Sequence, residues 1–156
     1  MADMIEVKTA ELEGYALDWA AMVADGWQCT GITQLGYRHD YRIEMRWERE
    51  DENGKTTVLG WTPSPSRSWN DGGPLLDKYS ISIQSPKARV HRNGGPLHGW
   101  SEAGYWHACT WEAGVTGKRA FGWHESLALV AAMRCLVAHK IGPVVLVPAL
   151  LLEGGA

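Results

Sequence analysis

The sequence predicts an α+β domain, an antiparallel sheet with two helices packed on one face. Two apolar segments near the ends of the chain have helical spacing, and the segments between them alternate apolar and polar residues as strands do. The regular strand–helix alternation of a parallel sheet is absent. With 156 residues, the chain is expected to form a single domain over residues 1–156.

The first helix is predicted from Ala10 to Asp25. Thr9 is a suitable N-cap, and Gly26 is a suitable stop. Apolar residues recur at three- and four-residue spacing along this segment, so one face of the helix is expected to be buried.

Strands are predicted in the middle of the chain. At residues 41–49 apolar side chains alternate strictly with charged ones, which indicates a strand with one buried face. The Asn-Gly pair at 53–54 predicts a hairpin turn, followed by a return strand at 55–61. Shorter strands are predicted at 79–83 and 104–112.

Two irregular segments are predicted to be flexible loops, near residues 62–74 and 93–104. The first contains three prolines and two glycines, a composition that disfavours both a helix interior and a central strand. The second contains the turn-forming sequence NGGP.

The second helix is predicted from Glu125 to Lys140, with Ser126 or Glu125 as its cap. Gly142 and Pro143 prevent its continuation. A last short strand is expected at 144–147, before an apolar tail.

Composition and charge disfavour several functions. The net charge of −3 and pI near 6.0 argue against nucleic-acid binding, because such proteins usually carry a clustered basic face. No secretory signal and no apolar run long enough to span a membrane is visible. The three cysteines lack a CxxC motif, so reduced thiols and a cytoplasmic location are expected.

Tryptophan is unusually frequent, with nine residues against one phenylalanine. A tryptophan side chain buries a large area and also offers a donor N–H. We expect most of these rings to pack in the core and a few to line a groove or an interface.

Each predicted helix has one isolated charge in an apolar segment. Asp18 is the only charge in YALDWAAMVA, and Arg134 is the only charge in LALVAAMRCLVA. A buried arginine needs an anionic or hydrogen-bonding partner, so the two helices are predicted to share one polar site. That site is either a ligand-binding pair or a structural salt bridge that fixes how the helices dock.

The segment PSRSWNDGGP carries a second candidate site. Gly72 and Gly73 allow a close backbone approach to a ligand, Asp71 offers an acceptor, and Trp69 offers a stacking face. This combination would suit a nucleotide-like or sugar-like ligand. The alternative is an ordered loop in which the tryptophan fills the core and the glycines make turns.

Other chemistry has weak support. His107 and Cys109 share one face of a strand, but a zinc site needs about three or four ligands, so no metal and no other cofactor is expected. No nucleophile motif such as GxSxG is present. Cys135 lies beside Arg134, yet burial in an apolar helix would keep its thiol inert.

Three sequence blocks carry a family resemblance: TAELEGYALDWA at 9–20, SPSRSWNDGGPLL at 64–76 and LVAAMRCLVAHKIG at 129–142. A short Trp-x-Ala block at 106–108 lies between the last two. In this order the blocks resemble the NinX-like family of small tailed-phage proteins. The resemblance implies a phage or prophage accessory gene and no particular reaction. It points to Asp18, Trp19, Trp69, Gly72, Gly73, Pro74 and Arg134.

The chain departs from the family pattern at three places. Arg67-Ser68 stands where relatives usually have Thr-Asp, which argues against a carboxylate role there. The usual Thr-Pro before the last helix is replaced around residues 126–128, and the tail VVLVPALLLEGGA is unusually apolar. That tail is expected to pack on the core or to cover a partner subunit, as in a homodimer.

Three functional hypotheses follow. The favoured one is non-catalytic binding of a small anionic, nucleotide-like ligand in a pocket formed by both helices and the Trp69 segment. The second is an adaptor that binds a host or phage protein through exposed tryptophans and the tail. The third is an enzyme acting on a nucleotide or sugar, with Asp18 or Asp71 as acid or base.

Overall fold

A computed structural model describes residues 3–36, 42–86, 105–111, 113–115, 117 and 119–153 of the chain. Helices and antiparallel strands both contribute, so the predicted α+β class is confirmed. The predicted loop at 93–104 lies outside the described residues. In chain order the elements are β1 (Met4–Lys8), α1 (Gly14–Ala24), β2 (Gln28–Leu35), β3 (Arg42–Glu50), β4 (Thr56–Val58), α2 (Trp69–Lys78), β5 (Ile81–Gln84), β6 (Trp106–Thr110), β7 (Phe121–His124), α3 (Ala128–Lys140), β8 (Val144–Pro148) and α4 (Leu150–Glu153).

The described strands pair antiparallel in three small sheets rather than in one continuous sheet. These sheets are β1–β8, β2–β3–β4 and β5–β6–β7. Three of the strands, β1, β2 and β7, were not predicted, and neither was α4. The segment 59–78 separates the second sheet from the third, because it leaves the edge of β3 and then forms α2.

The centre of the core is α3, which is buried almost all round, as its sequence predicts. It packs on the β5–β6–β7 sheet and against α1. A Cβ on Gly122 of β7 would lie 1.9 Å from the carbonyl oxygen of Ala131. This glycine therefore sets how closely the sheet approaches the helix.

Both predicted helices begin later than expected. Thr9 does not cap α1, because its buried hydroxyl donates to the carbonyl of Gly142 at 2.7 Å and so ties the start of the chain to the end of α3. Residues 9–11 form a separate 3-10 turn, and α1 begins at Gly14. Neither Ser126 nor Glu125 caps α3 through its side chain, and the helix starts at Ala128.

The prediction of an irregular loop at 62–74 is wrong from Trp69 onward, where α2 begins with Pro74 in its interior. The proline removes the backbone hydrogen bond to the carbonyl of Asn70. Asn70 is exposed, so water can solvate its carbonyl, while the first turn is secured by the N–H groups of Asp71 and Gly72 donating to Ser68.

The alternating strand is confirmed within the described residues. Side chains from Arg42 to Trp47 are alternately exposed and buried in β3. Gly54 has a φ of +78° in the predicted hairpin turn between β3 and β4, although β4 is shorter than expected. The helix stops are also confirmed, with left-handed φ values at Gly26 and Gly142.

Asp25, directly after α1, joins three elements. Its carboxylate accepts hydrogen bonds from Arg49 of β3 at 2.9 Å, from Lys78 of α2 at 2.6 Å and from the Tyr79 hydroxyl at 2.5 Å. Arg49 also stacks over the ring of Trp27, at 4.2 Å from the centroid. This junction fixes α2 relative to α1 and β3.

We expect Gly122→Ala to destabilise the fold by about 3 kcal/mol or more, since the new methyl group would overlap the backbone of α3. Urea unfolding monitored by circular dichroism measures this change. Gly60→Ala is the control, because a Cβ at that position would meet nothing within 4 Å. Equal stability of the two variants would show that β7 does not approach α3 this closely.

Candidate functional site

Asp18 is fully buried in α1, and its carboxylate holds the segment 64–68 in place. One oxygen accepts the backbone N–H of Ser66 at 2.8 Å, and the other accepts Nη2 of Arg67 at 3.1 Å. Burial raises the pKa of Asp18, while the hydrogen bonds from Ser66 and the charge of Arg67 act in the opposite direction. Asp18 is thus a partnered buried acid that positions an arginine.

The predicted pairing of Asp18 with Arg134 is wrong. Nε of Arg134 donates to the carbonyl of Leu12 at 2.8 Å, and Nη1 donates to the carbonyl of Trp123 at 2.7 Å. Burial lowers the pKa of Arg134, and the charge of Glu13 opposes this shift. The guanidinium is satisfied by backbone carbonyls, so Arg134 ties α3 to β7 and to the residues before α1.

Arg67 is the cation that pairs with Asp18, a role that the sequence predicts for Arg134. Its Nη2 makes two hydrogen bonds, one to Asp18 and one to the Ser64 hydroxyl at 3.3 Å. Its guanidinium lies over the ring of Tyr15, at 4.8 Å from the centroid, and its side chain is 48% exposed. Among the described residues, Nε and Nη1 have no acceptor, and they remain free to bind another group.

A groove of about 650 Å³ opens beside Arg67, between β3 and the segment 59–67. We call it the Arg67 groove. The residues that line it are Tyr15, Gly31, Thr33, Arg42, Ile43, Glu44, Met45, Arg46, Leu59, Gly60, Trp61, Thr62, Ser64 and Arg67. Among the described residues that line it, the charged side chains are three arginines and one glutamate, and this excess of positive charge favours a negatively charged ligand.

Thr62 holds the segment 59–67 along β3. Its hydroxyl accepts the N–H of Met45 at 3.0 Å and donates to the carbonyl of the same residue at 3.2 Å. The neighbouring Trp61 is 59% exposed at the groove. The structure therefore places an exposed aromatic ring in the same groove as the arginine.

The candidate residues of the segment 64–76 separate into two groups. Asp71 accepts the N–H of Ser64 at 2.9 Å, and a Cβ on Gly72 would lie 2.3 Å from the carbonyl oxygen of Pro65. Both therefore support the segment that carries Arg67 and do not line the Arg67 groove. Gly73 lines a different groove, with Trp111.

The two candidate tryptophans also lie outside the Arg67 groove. Trp69 is 56% exposed at the start of α2. Trp19 is half-buried and lines an apolar groove with Trp27 and Cys29. Successive helical residues point in different directions, which separates Trp19 from Asp18.

Arg67 and Trp61 were not among the candidates chosen from the sequence. The sequence does distinguish Arg67, because it is the only cation in the segment 64–76, which contains four of the seven candidate residues. Nothing in the sequence distinguishes Trp61 from the other tryptophans, because its exposure depends on the path of the chain along β3.

The described residues also bear on cysteine reactivity, metal binding and membrane insertion. Burial raises the pKa of the Cys135 thiol to about 12, which makes this cysteine unreactive, as expected. Within the described ranges, no three His, Cys, Asp or Glu side chains lie close enough together to hold a metal ion. No described helix is both long enough and apolar enough to cross a membrane.

Fold and groove together define a small α+β protein with a basic, aromatic-lined groove. The family model described as "Bacteriophage P22, NinX" matches residues 8–140. The chain belongs to this family and is a phage accessory protein. No curated protein matches the chain.

The adjacent glycines of α2 are expected to respond oppositely to alanine. Gly72→Ala should destabilise by about 1–3 kcal/mol, because its methyl group would overlap the backbone of Pro65. Gly73→Ala has open space and should stabilise by about 0.5–1 kcal/mol through helix propensity. Thermal unfolding of both variants tests this, and destabilisation by Gly73→Ala would contradict the packing of α2.

Asp18→Asn and Asp25→Asn should change the pH dependence of stability in opposite ways. The pKa of Asp18 is raised from 3.8, so ionised Asp18 costs stability as the pH rises above 3.8. Burial of Asp25 is outweighed by hydrogen bonds from Lys78, Tyr79 and Arg49, and its pKa is lowered from 3.8. The stabilisation of the fold by ionised Asp25 is complete above pH 3.8 and is lost as the pH falls through the lowered pKa of this carboxyl.

The measurement is urea unfolding of each variant and the wild type across this range. The advantage of the wild type over Asp18→Asn should shrink with rising pH, and its advantage over Asp25→Asn should shrink with falling pH. Slopes of the same sign would show that one of the two carboxylates is partnered differently.

Proposed function

We propose that this phage protein binds a small anionic, nucleotide-like ligand in the Arg67 groove, without catalysis, in the cytoplasm of the bacterial host. The observation that carries the proposal is the state of Arg67. Buried Asp18 holds one nitrogen of its guanidinium, and the other nitrogens remain available beside the groove. An arginine held in this way is preorganised, and its free Nε and Nη1 can each donate a charged hydrogen bond to an oxygen of a phosphate or carboxylate.

The other charges of the groove support an anion. Arg42 pairs with Glu44 and Arg46 pairs with Glu48, each at 3.4 Å and with exposed arginine side chains. Exposed pairs of this kind contribute about 0–1 kcal/mol. Both arginines can therefore turn to a ligand at little cost.

Trp61 supports a ligand that has a flat ring. An exposed tryptophan offers a large face for stacking and loses little conformational entropy when it binds. With arginines and an exposed aromatic ring in the same groove, the chemistry fits a phosphate attached to a base. This arrangement favours a nucleotide over inorganic phosphate.

A second candidate function is contact with another protein, including a second copy of this chain. Apolar side chains of β1, β8 and α4 are exposed, among them Met4, Leu146 and Leu152. Such a patch favours an interface. It lies on elements that do not line the Arg67 groove, so both functions are compatible.

The test is isothermal titration of the full chain with AMP, GMP and UMP, and with adenosine as the uncharged comparison. We expect nucleotides to bind more tightly than adenosine, with affinity falling as salt rises. Arg67→Ala should weaken nucleotide binding about tenfold or more, since a charged hydrogen bond is worth about 1.5–3 kcal/mol. Trp61→Ala should weaken it as well.

Lys55→Ala and Trp69→Phe are matched controls, because they alter an exposed cation and an exposed ring outside the groove. Circular dichroism of each variant verifies folding. The proposal fails if no nucleotide binds, or if Arg67→Ala binds as tightly as Lys55→Ala.

A further inference from the structure

A second groove of about 520 Å³ lies between α2 and the β5–β6 strands, and it shares no lining residue with the Arg67 groove. We call it the Trp111 groove. The residues that line it are Gly73, Leu76, Asp77, Ser80, Ile81, Ser82 and Trp111. A ligand in this groove is therefore independent of the function proposed for the Arg67 groove.

The main feature of this groove is a tryptophan that is exposed yet held. Trp111 follows β6 directly and is 60% exposed. Its indole N–H donates to the hydroxyl of Ser82 at 2.7 Å, and the guanidinium of Arg119 lies 5.4 Å from the ring centroid. A ring restrained in this way can receive a flat ligand with little further loss of entropy.

Polar groups of the groove lie at the end of α2. The Asp77 side chain is exposed, and its carboxylate has no partner among the described residues. Its backbone carbonyl accepts the N–H of Ser80, which has a φ of +52°. Residues other than glycine rarely adopt this conformation, and it turns the chain so that Ser80 lines the groove.

The helix wall of the groove is open at Gly73. A Cβ there would meet nothing within 4 Å, so this position leaves room beside α2. The groove thus combines an aromatic face, a carboxylate, serine hydroxyls and free space. Among the described residues that line it, Asp77 alone is charged, and this negative charge disfavours a phosphate or another anion.

We propose that the Trp111 groove binds a neutral sugar. A sugar ring has a face of C–H groups, which packs on an aromatic ring, and a rim of hydroxyl donors, which suit a carboxylate. Asp77 would accept ligand hydroxyls, and Ser80 would add a hydrogen-bonding group. The same chemistry is offered by a free monosaccharide and by a unit of a longer glycan.

The experiment follows the tryptophan indole N–H signals of the full chain by two-dimensional NMR. The probes are glucose, galactose, N-acetylglucosamine and maltotriose. Loss of one signal in Trp111→Ala identifies Trp111. We expect a sugar to shift that signal in a saturable manner. A response to single sugars supports a free-sugar site, and a response to maltotriose alone supports a glycan site.

Saturation-transfer NMR on the sugars measures binding in the variants. Trp111→Ala should abolish binding, and Asp77→Asn should weaken it about fivefold or more by weakening a charged hydrogen bond. Trp69→Ala is the matched control, because it removes an equally exposed ring that lines neither groove. All three sites are exposed, so the variants are expected to fold.

Three results would overturn the proposal. The first is that none of the four sugars shifts the Trp111 signal. The second is that AMP shifts this signal when the sugars do not. The third is that Trp69→Ala and Trp111→Ala weaken sugar binding equally. Because Arg67 does not line the Trp111 groove, Arg67→Ala reports on the other groove alone. The two proposals are therefore tested by different variants, and the failure of one does not affect the other.

Discussion

The buried carboxylate of Asp18 is the contact on which the arrangement of the site depends. A charged group inside a protein is costly unless hydrogen bonds satisfy it. Asp18 accepts two hydrogen bonds, one from Ser66 and one from Arg67. The segment after β4 must therefore return to α1. This requirement places Arg67 over Tyr15 and brings Trp61 to the edge of β3. One acid in the core thus determines the position of a basic groove at the surface.

Support for this contact comes from the opposite side of the segment. Asp71 and Gly72 of α2 hold residues 64 and 65 through a hydrogen bond and a close backbone contact. At the far end of α2, the cluster around Asp25 fixes the helix to α1 and β3. The segment 64–68 is therefore packed between two helices. Rigid support of this kind limits the entropy that a ligand-binding arginine would otherwise lose.

Sequence patterns identified α1, α3 and β3, because each buries one face or all faces at regular spacing. Strand β2 escaped prediction since its side chains are mostly exposed without alternation, and β7 is short and contains a glycine. The helix at Trp69 was missed because its composition is typical of turns. Arg67 was missed because its partner is 49 residues away in sequence, and such pairings are fixed only by the fold.

The pairing of β1 with β8 has a consequence for how the protein is made. Thr9 and Gly142, bonded beside this sheet, are separated by 133 residues. Closing so long a loop is entropically costly, and contacts of large separation slow folding. During synthesis, β1 emerges before β8 and has no partner in this sheet until β8 is translated. The apolar residues of β1 thus stay unpaired while the residues between the two strands are translated, and the two-stranded sheet cannot form before β8 is made.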